Sequence, residues 1–141
     1  MRRALYAAFF SLASLSPALA DVRIEASPGG IATSFVDYFE ALRESGERVV
    51  IDGPCFSACT LALSIMPPSR LCATRRAILG FHAAKLVDQD GDVYPAPEAT
   101  RVVADTYPAP IRRWIKRHGG LTSRPIFLYG RELAAMVPLC R

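Results

Sequence analysis

From residue 22 onward the hydrophobic period of the chain changes several times. The stretch "VRIEA", 22–26, alternates apolar and polar side chains, the period of a strand with one buried face. "SPGG", Ser27 to Gly30, breaks that pattern. From Ile31 the apolar positions fall three and four apart, so Ile31, Phe35, Val36, Phe39 and Leu42 share one face of a helix. Gly46, in "ESGE", ends it. "RVVID", 48–52, is apolar enough for a central strand of a parallel sheet. "GPCF" turns the chain. Residues from Ser57 to Met66 suit a short buried helix, which Pro67 and Pro68 stop. Leu71 to Ala73 predicts a brief strand and "AILGFH", 77–82, a stronger one.

Beyond His82 the periods are weaker. "DQDGD", 88–92, has the composition of a hairpin or loop tip. The run from Pro95 to Gly120 predicts a helix, a break at Pro108 and Pro110, and a second helix closed by Gly119 and Gly120. "PIFLYG" predicts a last edge strand and "RELAAM" a helical turn. Strands that alternate with helices predict parallel pairing and right-handed crossovers. The expected fold is therefore α/β: a mainly parallel sheet flanked by helices in one compact domain over 21–141.

The first residues add a compartment. Arg2 and Arg3 precede an apolar run, and small residues stand at Ala18 and Ala20, the order of a secretory signal cut after Ala20. The apolar run is too short and too interrupted by Ser14, Ser16 and Pro17 to span a bilayer, so no stable membrane insertion is expected after cleavage. Losing two arginines takes the formal charge from +4 to +2. So mild an excess gives no reason to expect a nucleic-acid partner. The four cysteines, Cys55, Cys59, Cys72 and Cys140, all lie in the mature part. An even count in an exported chain favours disulfides, and three pairings stand open. Their spacing makes a poor zinc set, and no metal or cofactor is expected.

In parallel α/β sheets ligands bind where strands end and helices begin. Two such junctions carry suitable residues. The glycines of "SPGG" let backbone N–H groups approach a ligand. Ser57 opens a helix, and the N–H of Ala58 follows it, so the pair offers half of an acyl-transfer site. Ser57 is equally a preferred helix cap. A serine nucleophile needs a base. Of the two histidines, His118 sits in "KRHGG" at the basic end of a helix, whereas His82 ends the strand "AILGFH" on the edge expected to carry Ser57.

Taken in order, Ser27-Pro28-Gly29-Gly30, the strand Arg48 to Asp52, Ser57-Ala58 and the strand Ile78 to His82 resemble the Clp protease/crotonase superfamily, in its Clp protease catalytic-subunit branch. The gap from Ser57 to His82 is 25 residues, similar to that family's spacing. The variant "GPCFSACTL" looks like a group of small exported proteins of the same superfamily. The resemblance covers roughly Val22 to Ala84. It implies a Clp/crotonase-like β-α-β superhelix, with Ser57 as nucleophile and His82 as general base. It also implies an oxyanion hole from the amides of Gly29 or Gly30 and Ala58. The reaction class implied is hydrolysis of a peptide or small acyl substrate, in the periplasm or outside the cell. The chain is too short for the extensions that dock an unfolding ATPase, so the activity implied is independent of ATP.

One family element has no clean match. The acid that orients the histidine is expected near the last strand–helix junction, where this chain has Tyr129 and Gly130. Glu132 and Asp105 are the nearest candidates, with Asp92 a further one. A bridge from Cys55 or Cys59 to Cys72 would pin the Ser57 turn to the strand that leads to His82, with Cys140 holding the chain end. A free, reactive Cys55 is the other reading of that cysteine. The missing acid also motivates a second function class: a catalytically silent binding or scaffold module, in which Phe81, Tyr94, Tyr107 and Trp114 line a groove.

Overall fold

The computed structural model describes residues 20–141. The expected leader, 1–20, lies outside them except for Ala20. Val49, Val50 and Ile51 are all within 1% of complete burial, and their strand β2 (Arg48–Ile51) is the centre of the first sheet. It pairs in parallel with β1 (Asp21–Ile24) on one side and β4 (Leu71–Ala73) on the other. Helix α1 (Ala32–Ser45) packs Phe39 and Leu42 into the core and stops at Gly46, whose φ of 86° is the left-handed cap that glycine allows. Ile31 departs from its expected place on that face. It precedes the helix in extended conformation and is 72% exposed.

A second sheet corrects the expectation of one mainly parallel sheet. The apolar run that starts at Arg48 does not end in a simple turn. After Asp52 and Gly53 it resumes as β3 (Pro54–Phe56), which pairs in parallel with β5 (Ile78–Phe81). β8 (Ile126–Tyr129) closes the other side of β5, antiparallel. The chain thus runs through sheet one, crosses at a corner and continues in sheet two: β2 into β3, β4 into β5. β1 does the same in miniature, with Ser27 bridged to Cys55. The corners stack. The Asp52 N–H donates to the Ile24 carbonyl at 2.8 Å, and that of Ser27 to the Pro54 carbonyl at 2.8 Å.

Asp52 ties the three corners together. Its side chain is 4% exposed. It accepts from Arg76 (Nε at 3.1 Å, and Nη2), from Thr74 Oγ1 at 2.7 Å and from Arg23 Nη1 at 2.7 Å. Arg76 first, then Thr74 and Arg23, hold the carboxyl well below the usual carboxylate range, against the opposing effect of burial. A depressed folded pKa stabilises the fold above the ordinary value near 3.8, and that contribution disappears as pH falls below it. Asp52→Asn is therefore expected to lower Tm by several degrees at neutral pH. The two melting curves should begin to approach each other only as pH falls below about 4, and close progressively at still lower pH, which a pH series of thermal melts checks.

The remaining elements cover the two sheets. A 3₁₀ turn (Ser57–Leu61) leads into α2 (Ala62–Ile65). A hairpin, β6 (Lys85–Val87) and β7 (Val93–Pro95), carries the tip 88–92. Helices α3 (Pro97–Thr106) and α4 (Ala109–Arg117) meet at the expected proline break, and α5 (Gly130–Ala134) follows β8. Two disulfides form, Cys55–Cys59 and Cys72–Cys140. This pairing replaces the expected link to Cys72 and leaves no free, reactive Cys55. By chain-entropy reasoning the bridge spanning 68 residues contributes roughly 4 kcal/mol and the one spanning four residues roughly 2 kcal/mol. Among the described residues no helix is long and apolar enough to cross a membrane.

Candidate active site

Ser57 and His82 each follow directly on a strand of the second sheet. β3 ends at Phe56 and β5 at Phe81, and the strands run parallel with Phe56 opposite Gly80. Neighbouring strands lie about 4.8 Å apart, so this register delivers the two residues to the same edge. Phe56 can lie flat across that register because Gly80 has no side chain. A Cβ there would stand 2.6 Å from the Phe56 ring.

Ser57 is the only non-glycine residue with positive φ, at 54°, among the described residues. L-residues enter the left-handed region at a cost of about 1 kcal/mol or more. The cause is local. Phe56 is still extended, with φ −113° and ψ 155°, while Ser57 already opens the 3₁₀ turn, so the whole reversal falls on one residue. The capping role is not realised. Phe56 holds the cap position, and no side-chain cap bond forms. Instead the Ser57 carbonyl is gripped. It accepts a 2.7 Å bond from Thr60 Oγ1, whose oxygen is 2.6 Å from the Tyr107 hydroxyl. Threonine has a single hydroxyl proton and gives it to Ser57, so Tyr107 donates to Thr60. Burial pushes the Tyr107 phenol above its ordinary value, which keeps it a neutral donor.

The "SPGG" turn packs directly on this elbow. A Cβ on Gly29 would fall 2.6 Å from both the Phe56 carbonyl oxygen and Ser57 Cβ. Gly29 also has φ 86°, so only glycine fits there. The two glycines differ in their surroundings. The Gly29 N–H turns back to Ser27 Oγ at 3.3 Å. Gly30 instead lines a cavity of about 670 Å³ together with Ser57, Ala58 and His82. Tyr107 and Phe81 form part of its buried wall, and Ile31, Leu86 and Val87 stand at its exposed rim.

His82 is half-buried. Its Nδ1 lies 2.7 Å from the Ala83 carbonyl oxygen. A carbonyl can only accept, so Nδ1 carries a proton, which leaves Nε2 as the lone-pair nitrogen of the neutral ring. That is the tautomer a general base needs. Among the described residues no hydrogen bond joins His82 to Ser57, whose hydroxyl has no protein partner there. Catalytic bonds of this kind commonly tighten only when substrate binds.

No protein-family model matches this chain, and no curated protein matches it. The chemistry therefore rests on geometry: a serine on a strained elbow, an imidazole ending the adjacent strand with its Nδ1 held by a carbonyl, and a largely apolar cavity that both line. No group of histidine, cysteine or acidic side chains among the described residues could hold a metal ion.

The acids expected to orient His82 lie elsewhere. β8 runs antiparallel to β5, with Tyr129 opposite Ile78 and Ile126 opposite Phe81. Tyr129, Gly130 and Glu132 therefore lie toward the start of β5, about 10 Å along the strand from its His82 end. Glu132 Oε2 instead accepts from the Trp114 indole at 3.4 Å. Asp105 stands beside a separate groove with Arg112 and Lys116, and Asp92 belongs to the exposed hairpin tip. The Ala83 carbonyl thus bonds the imidazole nitrogen that the acid would hold.

The aromatic groove expected of a binding module forms in part: Phe81 and Tyr107 line the cavity, whereas Trp114 is not in its lining and Tyr94 stands exposed on the hairpin. Phe81, Tyr107 and Trp114 are at most 3% exposed and pack on one another, with Phe81 5.3 Å from Tyr107 and 5.8 Å from Trp114 between ring centroids. His118 stacks on Trp114 outside the cavity. No periodicity or motif singles out Thr60. A threonine three residues after a candidate nucleophile is the one signal that could have suggested it.

Proposed function

We propose that this chain is an exported serine hydrolase with a Clp/crotonase-like fold that cleaves a peptide or small acyl substrate without ATP. Ser57 attacks the acyl carbon while His82 Nε2 takes its proton and later passes it to the leaving group. The amides of Gly30 and Ala58 receive the charge that develops on the oxygen. The observation that carries this reading is the left-handed backbone of Ser57 at a cavity that it shares with a histidine whose Nδ1 donates to a backbone carbonyl. Backbone strain of this size at a polar residue is characteristic of functional sites. The repeated passage from sheet one to sheet two is in keeping with the resemblance carried by "SPGG", Ser57-Ala58 and His82. Two disulfides favour an oxidising compartment, which supports export to the periplasm or beyond.

A fluorophosphonate probe on the mature chain, with both disulfides verified by mass, tests the reading. Ser57 should acquire the phosphonyl adduct between about pH 6 and pH 9, and Ser57→Ala should carry none. An unlabelled Ser57 across that range removes the hydrolase reading. It would leave the silent binding module, which the carbonyl in place of an orienting acid favours. In that case Ser57→Ala would leave ligand affinity for the cavity unchanged.

A further inference from the structure

The Cys55–Cys59 disulfide encloses Ser57 symmetrically, two residues on either side. Both cysteines are fully buried, so the bridge is shielded from solvent reductants in the folded chain. Its position in the backbone is informative. Cys55 is fixed in β3, paired with Leu79 of β5 and bridged to Ser27. Cys59 is fixed in the 3₁₀ turn. Four residues of continuing strand would carry the two Cα atoms about 13 Å apart, whereas the bridge holds them at 5.4 Å. The chain must therefore reverse between them. Because Phe56 is extended by its place in β3 and Ala58 is already helical, Ser57 is the residue left to supply the reversal. The other disulfide, Cys72–Cys140, joins β4 to the segment that pairs with it through Leu139, remote in sequence from Ser57.

We propose that the Cys55–Cys59 bridge is a positioning device that holds Ser57 in its left-handed, reactive conformation, while Cys72–Cys140 serves the stability of the fold. The two disulfides then divide reactivity from stability. The proposal rests on the hydrolase reading for its link to reactivity, but the conformational claim stands apart from it.

The test uses the full mature chain in three forms: unaltered, C55A/C59A and C72A/C140A. Each is followed by thermal melting, by the rate of fluorophosphonate labelling and by the ¹³Cα and ¹³Cβ shifts of Ser57, which report its φ. C55A/C59A is expected to label at least about tenfold more slowly, with Ser57 shifts leaving the left-handed range. C72A/C140A is expected to lose more in Tm, because it opens the longer loop, yet to label within about twofold of the unaltered chain well below its Tm. Labelling that follows Tm in both variants, or Ser57 shifts unchanged in C55A/C59A, overturns the proposal. If the unaltered chain is not labelled at all, the hydrolase reading falls and the Ser57 shifts alone decide what the bridge does. Should C55A/C59A not fold, C55V/C59A restores most of the lost volume. Failure of both while C72A/C140A folds would assign the bridge to the fold as a whole and overturn the proposal.

Discussion

Gly53→Ala should unfold the mature chain or lower its Tm by more than about 10 °C. A Cβ at this position would sit 1.9 Å from the Glu25 carbonyl oxygen and 3.0 Å from its carbonyl carbon. Neither atom can step aside. Ile24, one residue before Glu25, is held by the Asp52 N–H, and Ser27, two residues after it, by the Pro54 carbonyl. Overpacking against a backbone segment pinned on either side of the clash belongs at or beyond the upper end of the usual range, about 3 kcal/mol or more. Gly91→Ala is the control. It carries a backbone difficulty that Gly53 lacks, a φ of 88°, but nothing lies within 4 Å of its Cβ. Its cost should stay near 1 kcal/mol. Circular-dichroism melts of the two variants separate steric exclusion at the corner from the general cost of replacing a glycine. A Gly53→Ala chain as stable as Gly91→Ala would contradict the stacked-corner account.

The second large effect concerns His82. His82→Ala is expected to slow fluorophosphonate labelling of Ser57 by about 10²–10⁴-fold, the usual range for loss of a general base. Glu132→Gln and Asp105→Asn should change the rate by less than about twofold. Glu132 bonds to Trp114 and Asp105 borders a different groove, so neither reaches the imidazole. Rate constants for the three variants at one pH make the comparison. A loss with Glu132→Gln that matched His82→Ala would restore the acid to the machinery. The absence of a carboxylate also has a cost for the unaltered chain. The Ala83 carbonyl accepts from Nδ1 of His82 but carries no full charge to stabilise the imidazolium that the proposed reaction would form.

The residues disclosed much of this arrangement and hid particular parts of it. The amphipathic period of α1, the glycine stop at Gly46 and the acidic tip of the hairpin are local signals, and they are in place. Ser57 and His82 emerge at one edge because parallel strands set consecutive ends side by side, which the order of elements implied. β3 escaped notice because Gly53 and Pro54 have the composition of a turn. The chain does bend there, but only to enter a second sheet, where Pro54 begins the strand. The disulfide pairing depends on where β4 lies relative to the chain end, a long-range fact with no local trace. The fate of Glu132 turned on the direction of β8. A four-residue strand has the same period whichever way it runs, so the antiparallel pairing that carries Glu132 away from His82 is invisible in the pattern.

The hairpin that borders the cavity mouth has a different standing from the corners beneath it. It leaves the body of the fold at Ala84 and returns at Ala96, where the Ala96 N–H closes it on the Ala84 carbonyl at 3.1 Å, while Thr100 Oγ1 receives the Ala84 N–H at 2.9 Å. Between those points Leu86, Val87, Val93 and Tyr94 are all about half exposed or more. The reacting groups hang from a rigid chassis of stacked corners, whereas the lip of the cavity is a detachable fitting on a two-point mount. On the hydrolase reading, substrate preference and reactivity are thereby borne by separate pieces of chain. Exchanging residues 85–95 for another hairpin of equal length would retune what enters the cavity and leave the serine and the imidazole where they stand.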